Sequence, residues 1–199
     1  MNQLNEFTPR RNFLTNSVKG TLALGVGMST LASLLQSFTF KEEEELFVQG
    51  AGTVTTEAQF RTAIAPLAQM SMMSSQLATT QAANQYAKQF AGFELAETTA
   101  MMSILKDMGT TPPPMDAKSQ AVMTQMKSMT GAAFDKAYIA AQVQTHQQLN
   151  TLTSSYLASA APSATNMMEK HGRHIAMLAS TSIKEHLALT QRIQSVLGS

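Results

Sequence analysis

The stretch GTTPPPMDAKSQAVMTQMKSMT, residues 109–130, decides the fold. Gly109 is a normal stop for a preceding helix. Pro112, Pro113 and Pro114 cannot continue that helix, because proline lacks a backbone donor and its ring clashes with the preceding turn. Asp116 then suits the cap of a new short helix over 116–128. The stretch is a long connection carrying one short helix of its own, placed between two much longer helical patterns.

Working outward, four long helices are expected. The first covers about 54–80, with Phe60, Ile64, Leu67, Met70, Met73 and Leu77 at helical spacing and a kink or break at Pro66. The second covers about 83–108, its stripe being Tyr86, Phe90, Phe93, Met101, Ile104 and Met108. The third covers about 131–159, with Phe134, Tyr138, Ala141, Leu149, Leu152 and Tyr156, and the fourth about 164–197, with Met168, Ile175, Leu178, Leu189, Ile193 and Val196. A helix of about 25 residues is ~38 Å long, so all four can line up. The short link near Pro162 makes the third and fourth antiparallel neighbours. The 109–130 connection is long enough to cross from one end to the other. One long crossover midway defines an all-α, ferritin-like four-helix bundle.

Composition narrows the function. There is no cysteine, which excludes disulfides, thiolate metal sites and cysteine nucleophiles. The net charge is +1, but residues 1–40 hold Arg10, Arg11 and Lys19 against Glu6 alone. Residues 41–199 are therefore slightly acidic and offer no electrostatic footprint for nucleic acid. Arg10 and Arg11, followed by Phe13 and Leu14 and a mildly apolar run over 20–40, read as a twin-arginine export signal recognised by the export machinery. Residues 1–40 are thus the signal segment and 41–199 the bundle domain. The run's Gly, Ser, Thr and Gln content is too high for a good membrane span. No clean cleavage site follows, so an uncleaved anchor stays open. The expected location is the periplasm or envelope, with no membrane span in the mature domain.

The stretch Gly131-Ala132-Ala133-Phe134-Asp135-Lys136-Ala137-Tyr138 with His146 resembles the third-helix signature of a bacterial family, domain of unknown function 4142, labelled "predicted outer membrane protein". Phe47-Val48, Tyr86 to Ala91 and Glu185-His186-Leu187 agree with it. The resemblance implies a ferritin-like bundle outside the cytoplasm and no established reaction. Where the family's second helix carries an Asp-His pair, this chain has Phe93-Glu94-Leu95-Ala96-Glu97-Thr98.

Three groups of side chains could carry chemistry. Glu97 and Glu185 fall on the expected apolar stripes, with Glu94 at the edge of one, His186 beside Glu185, and His146 three residues after Val143. A carboxylate in a bundle core is costly unless paired, protonated or metal-bound. A full di-metal site needs Glu-x-x-His motifs, and none occurs. Glu94, Glu97, His146, Glu185 and His186, with Met73, thus offer a partial site for a single iron or copper ion, or a polar layer that pairs with itself. His171-x-x-His174 is a possible chelate, although Lys170 and Arg173 point to a solvated turn. The 15 methionines include Met123, Met126 and Met129 on the crossover helix. Thioethers suit copper(I), but core or partner-surface use fits their helical spacing better. No phosphate loop, Gly-x-Ser-x-Gly or His-Glu-x-x-His is present. The sequence favours a non-enzymatic, exported bundle whose Met-rich surfaces meet an envelope partner. The alternative is a metal-binding or redox bundle.

Overall fold

The computed structural model describes residues 54–159 and 166–198. The expected signal segment and the charged spacer after it lie outside the described residues. Among the described residues five helices follow one another: α1 (Glu57–Gln81), α2 (Gln85–Asp107), α3 (Ala117–Ser128), α4 (Gly131–Ala158) and α5 (Met167–Gly198). Among the described residues there is no strand, and no helix is long and apolar enough to cross a membrane. The four long helices form an all-α bundle.

Local chemistry sets the helix ends. Thr56 and Gln59 form a capping box on α1: the Thr56 hydroxyl accepts from Gln59 N–H, and Gln59 Oε1 accepts from Thr56 N–H. Asn84 Oδ1 accepts from Tyr86 and Ala87 N–H at the start of α2. At the end of α2, Gly109 sits at φ 78°, its N–H bonds Lys106 O, and Thr110 N–H bonds Leu105 O. That paired return is the Schellman stop, which needs a left-handed residue. Asp116 caps α3 through Ser119 N–H at 2.8 Å.

Of the kink or break expected at Pro66, the break does not occur: α1 runs continuously through it. The proline removes only the bond to the Thr62 carbonyl, and Thr62 is exposed, so water can satisfy it.

Side-chain ties fix the direction of each helix. Arg61, at the start of α1, donates to Met108 O at the end of α2. Asp135, buried at the start of α4, accepts from Ala83 and Asn84 N–H in the α1–α2 turn. The 109–130 connection therefore does run from one end of the bundle to the other. Tyr156, near the end of α4, donates to Glu169 in the first turn of α5. The α1/α2 and α4/α5 pairs pack most closely, α1 lies along α4, and α2 touches α4 and α5 only sparsely.

The core falls into two apolar clusters. One holds Ala78, Phe90, Ala91, Phe134, Tyr138, Ile139 and Ile193. The other holds Phe60, Ile64, Leu105, Leu149, Tyr156, Ala176 and Ile183. Met123 and Met126 belong to the first cluster, at 5% and 2% exposure. The crossover helix thus covers the core, and these two methionines serve it. On each long helix a buried polar stretch separates the clusters: Ser71, Ser74 and Ser75 on α1, Glu94 on α2, Gln142 and His146 on α4, and His186 and Thr190 on α5.

Candidate metal centre

Glu94 is the centre of this polar layer. It is buried, with only 2% of its side chain exposed. His146 Nε2 lies 3.3 Å and His186 Nδ1 2.6 Å from Glu94 Oε2. The other carboxylate oxygen, Oε1, accepts from Ser71 Oγ at 2.5 Å. Three helices thus meet on one carboxylate, with a fourth supplying the serine. Phe90 closes the layer from above, its ring set edge-on to both imidazoles at 6.1 and 5.3 Å.

The second nitrogen of each imidazole is also engaged. His146 Nδ1 lies 2.8 Å from Gln142 O, an acceptor, so Nδ1 carries the proton and Nε2 faces Glu94. His186 Nε2 lies 3.5 Å from Glu97 Oε2. Gln142 is held in turn: its Nε2 donates to Ser74 Oγ at 2.9 Å and Ser75 Oγ at 3.2 Å. Ser75 Oγ is 2.9 Å from Tyr138 Oη. The layer continues through hydrogen bonds from Glu94 into the upper core.

Charge decides the protonation states. Burial alone would raise the Glu94 carboxyl, but hydrogen bonds from His146 and His186, with their charge, outweigh it and hold Glu94 well below its ordinary range. Burial alone would lower His186, but its bond to Glu94 and the charges of Glu94, Glu97 and Glu185 raise it instead. Burial drives the Tyr138 hydroxyl up, reinforced by the Glu94 charge and only partly offset by Ser75.

Glu94, His146 and His186 each offer one ligand atom, all within 4.8 Å of one another. Ligands sharing one ion at about 2.0–2.2 Å lie roughly 3–4 Å apart. The His146–Glu94 separation already fits. The His186–Glu94 contact must open by a few tenths of an ångström, replacing a hydrogen bond with a shared ion. The outer groups resemble what metal-ligating histidines use: a carbonyl hydrogen-bonded behind His146, and the half-exposed Glu97 carboxylate 3.5 Å behind His186.

Two expected site residues lie elsewhere. Glu97 is not on a buried stripe: its side chain is 51% exposed, and it reaches the centre only through His186. Glu185 is on the exposed side of α5, and its neighbour His186 takes the buried position. The same turn of register puts Phe93, Ile104, Met168, Leu178 and Val196 outside, Leu178 at 75% exposure. The faces that enter the bundle are Ala87, Phe90, Ala91, Glu94 and Thr98 on α2, and Gly172, Ala176, Ser180, Ile183, His186 and Thr190 on α5. Small and polar residues form this seam, so hydropathy alone selects the wrong face. Met73 packs against the upper apolar cluster.

A family model described as "Domain of unknown function (DUF4142)" matches residues 46–178. The chain belongs to the DUF4142 family. Glu94 and His146 fall within the matched span of this DUF4142 protein, and His186 falls beyond it. No curated protein and no solved structure matches the chain.

Proposed function

We propose that this DUF4142 protein binds a single transition-metal ion through Glu94, His146 and His186. The observation that carries the reading is the convergence of these three side chains from three helices, with the outer nitrogen of His146 bonded to a carbonyl and that of His186 facing the Glu97 carboxylate at 3.5 Å. Two imidazoles and a carboxylate suit iron(II), copper(II) or zinc. Three protein ligands leave room for water or another small ligand on the ion. Ser71 anchors the carboxylate, Gln142 sets the His146 tautomer, and Glu97 orients His186. The end-to-end connection and the inward carboxylate support reading the bundle as ferritin-like with a reduced ligand set. Arg10 and Arg11 support export through the twin-arginine route, and so a site of action in the periplasm or envelope.

The test is elemental analysis of the exported protein, purified without added metal. The expected result is near-stoichiometric metal in the wild type, lost in Glu94→Gln and in His146→Gln. A folded wild type that holds no metal, even after incubation with iron(II), copper(II) or zinc, would overturn the reading.

A second reading rests on the exposed apolar side chains of α2 and α5: Phe93, Ile104, Met167, Met168, Met177 and Leu178. Such a surface suits contact with an envelope partner, with no enzymatic step.

A further inference from the structure

Among the described residues, Glu94, His146 and His186 are the one group of three donors that converges; His171 and His174 are exposed on α5 and gather no third ligand. The converging group comes closest to water at the α2–α5 seam. Side-chain exposure is 2% at Glu94 and His146, 9% at His186 and 51% at Glu97. Other directions are filled. Phe90 lies edge-on against both imidazoles, and the buried Ser71, Ser74 and Gln142 occupy the side toward α1 and α4. Close packing shuts the α1–α2, α4–α5 and α1–α4 sides of the bundle, whereas α2 and α5 touch sparsely. Glu97 stands on that loose seam, and its Oε2 is 3.5 Å from His186 Nε2. Three residues along α2 put Glu94 and Glu97 on neighbouring positions of one face, about 4.5 Å apart along the axis. One carboxylate is thus half in water and the other in the core. The His186 ring stands between them, with Nε2 outward and Nδ1 inward.

We propose that Glu97 is the entry ligand of the buried centre: it captures the hydrated cation at the α2–α5 seam and delivers it past His186 to Glu94 and His146. The route rests on the metal centre proposed for those residues and assigns how the ion reaches it. Donors sharing one ion lie roughly 3–4 Å apart, so Glu97 Oε2 and His186 Nε2 are already spaced to hold a cation between them. A carboxylate at the opening of a low-dielectric seam also concentrates cations and speeds their arrival by about tenfold or more. The charges of Glu97 and Glu185 both act on His186, so the opening is acidic on its α2 side and on its α5 side. A seam with few packing contacts is also the one that opens most readily.

The experiment mixes metal-stripped, full-length protein with copper(II) in a stopped flow and follows quenching of tyrosine emission, the chain having three tyrosines and no tryptophan. Copper(II) is the probe because nitrogen and oxygen sites bind it most tightly among divalent first-row ions. The phase counted is the one absent from His146→Gln, so binding at surface histidines is subtracted. Glu97→Gln is expected to slow that phase about tenfold, without quickening release into excess chelator. Glu97→Asp keeps the charge at the seam and is expected to restore most of the rate. Asp107→Asn makes the same change of charge ten residues and about 15 Å further along α2, and is expected to leave the rate unchanged. If Glu97 only held the His186 ring, Glu97→Gln would speed release and leave uptake alone. That result, or equal slowing in Asp107→Asn, would overturn the route while the metal centre stood. A wild type that shows no such phase would overturn the metal centre and the route with it.

Discussion

Glu94 Oε2 and His186 Nδ1 meet at 2.6 Å across the seam between α2 and α5, two long helices that otherwise touch little. This contact is the main polar bridge over that seam. Glu94→Gln removes the charge that His146 and His186 face, while keeping the volume. Breaking a buried charge pair from one side costs about 3–5 kcal/mol. The metal-free variant is expected to unfold at markedly lower denaturant than the metal-free wild type. A loss below about 1 kcal/mol would show that the layer is not paired as described.

Much of the fold is legible in the sequence because its punctuation is local. Gly109 takes φ 78°, and Asp116 caps the next helix, without help from distant residues. The site is only half legible. Glu94, His146 and His186 stand out as costly groups, but which face of α2 and α5 turns inward depends on close packing. Ala87, Ala91, Gly172 and Ala176 let the backbones approach and carry little hydropathy, whereas Phe93 and Leu178 carry much and point outward. A pattern of small residues spaced by four, Gly172, Ala176 and Ser180, is the signal that finds the true face of α5.

Two glycines test that packing directly. A Cβ at Gly172 would lie 2.2 Å from Glu57 Cγ and 3.1 Å from Tyr156 Oη. Gly172→Ala is expected to destabilise by about 1–3 kcal/mol through overpacking. A Cβ at Gly92 meets nothing within 4 Å, at an exposed helical position. Gly92→Ala is expected to stabilise by about 0.5–1 kcal/mol. Thermal melts of the pair should move in opposite directions.

The pH dependence of the metal-free protein follows from the same pair. The proton affinity of His186 is raised in the fold, so its contribution is complete below its ordinary value of 6.5 and is lost as pH climbs through the folded value above it. The Glu94 value is lowered, so its contribution is complete above the ordinary 4.5 and is lost only in strong acid. In chelator, the stability difference between wild type and His186→Gln should be largest between these limits. It should shrink as pH rises above the upper one. With metal bound the trend reverses, because ligating imidazoles must be neutral. A metal-free difference that grows above neutrality would contradict the pairing.

Export has a separate test. Arg10→Lys with Arg11→Lys is expected to leave the protein in the cytoplasm, as followed by cell fractionation. Normal export of that variant would remove the twin-arginine assignment and leave the bundle chemistry untouched.

Glu94, His146 and His186 are proposed to hold one ion. Anomalous diffraction at the metal edge, on crystals of protein loaded with iron(II), copper(II) or zinc, tests it most directly. A single anomalous peak is expected in the polar layer, about 2.0–2.2 Å from Glu94 Oε2, His146 Nε2 and His186 Nδ1. A layer without a peak, with the carboxylate–imidazole hydrogen bonds intact in fully loaded crystals, would contradict it.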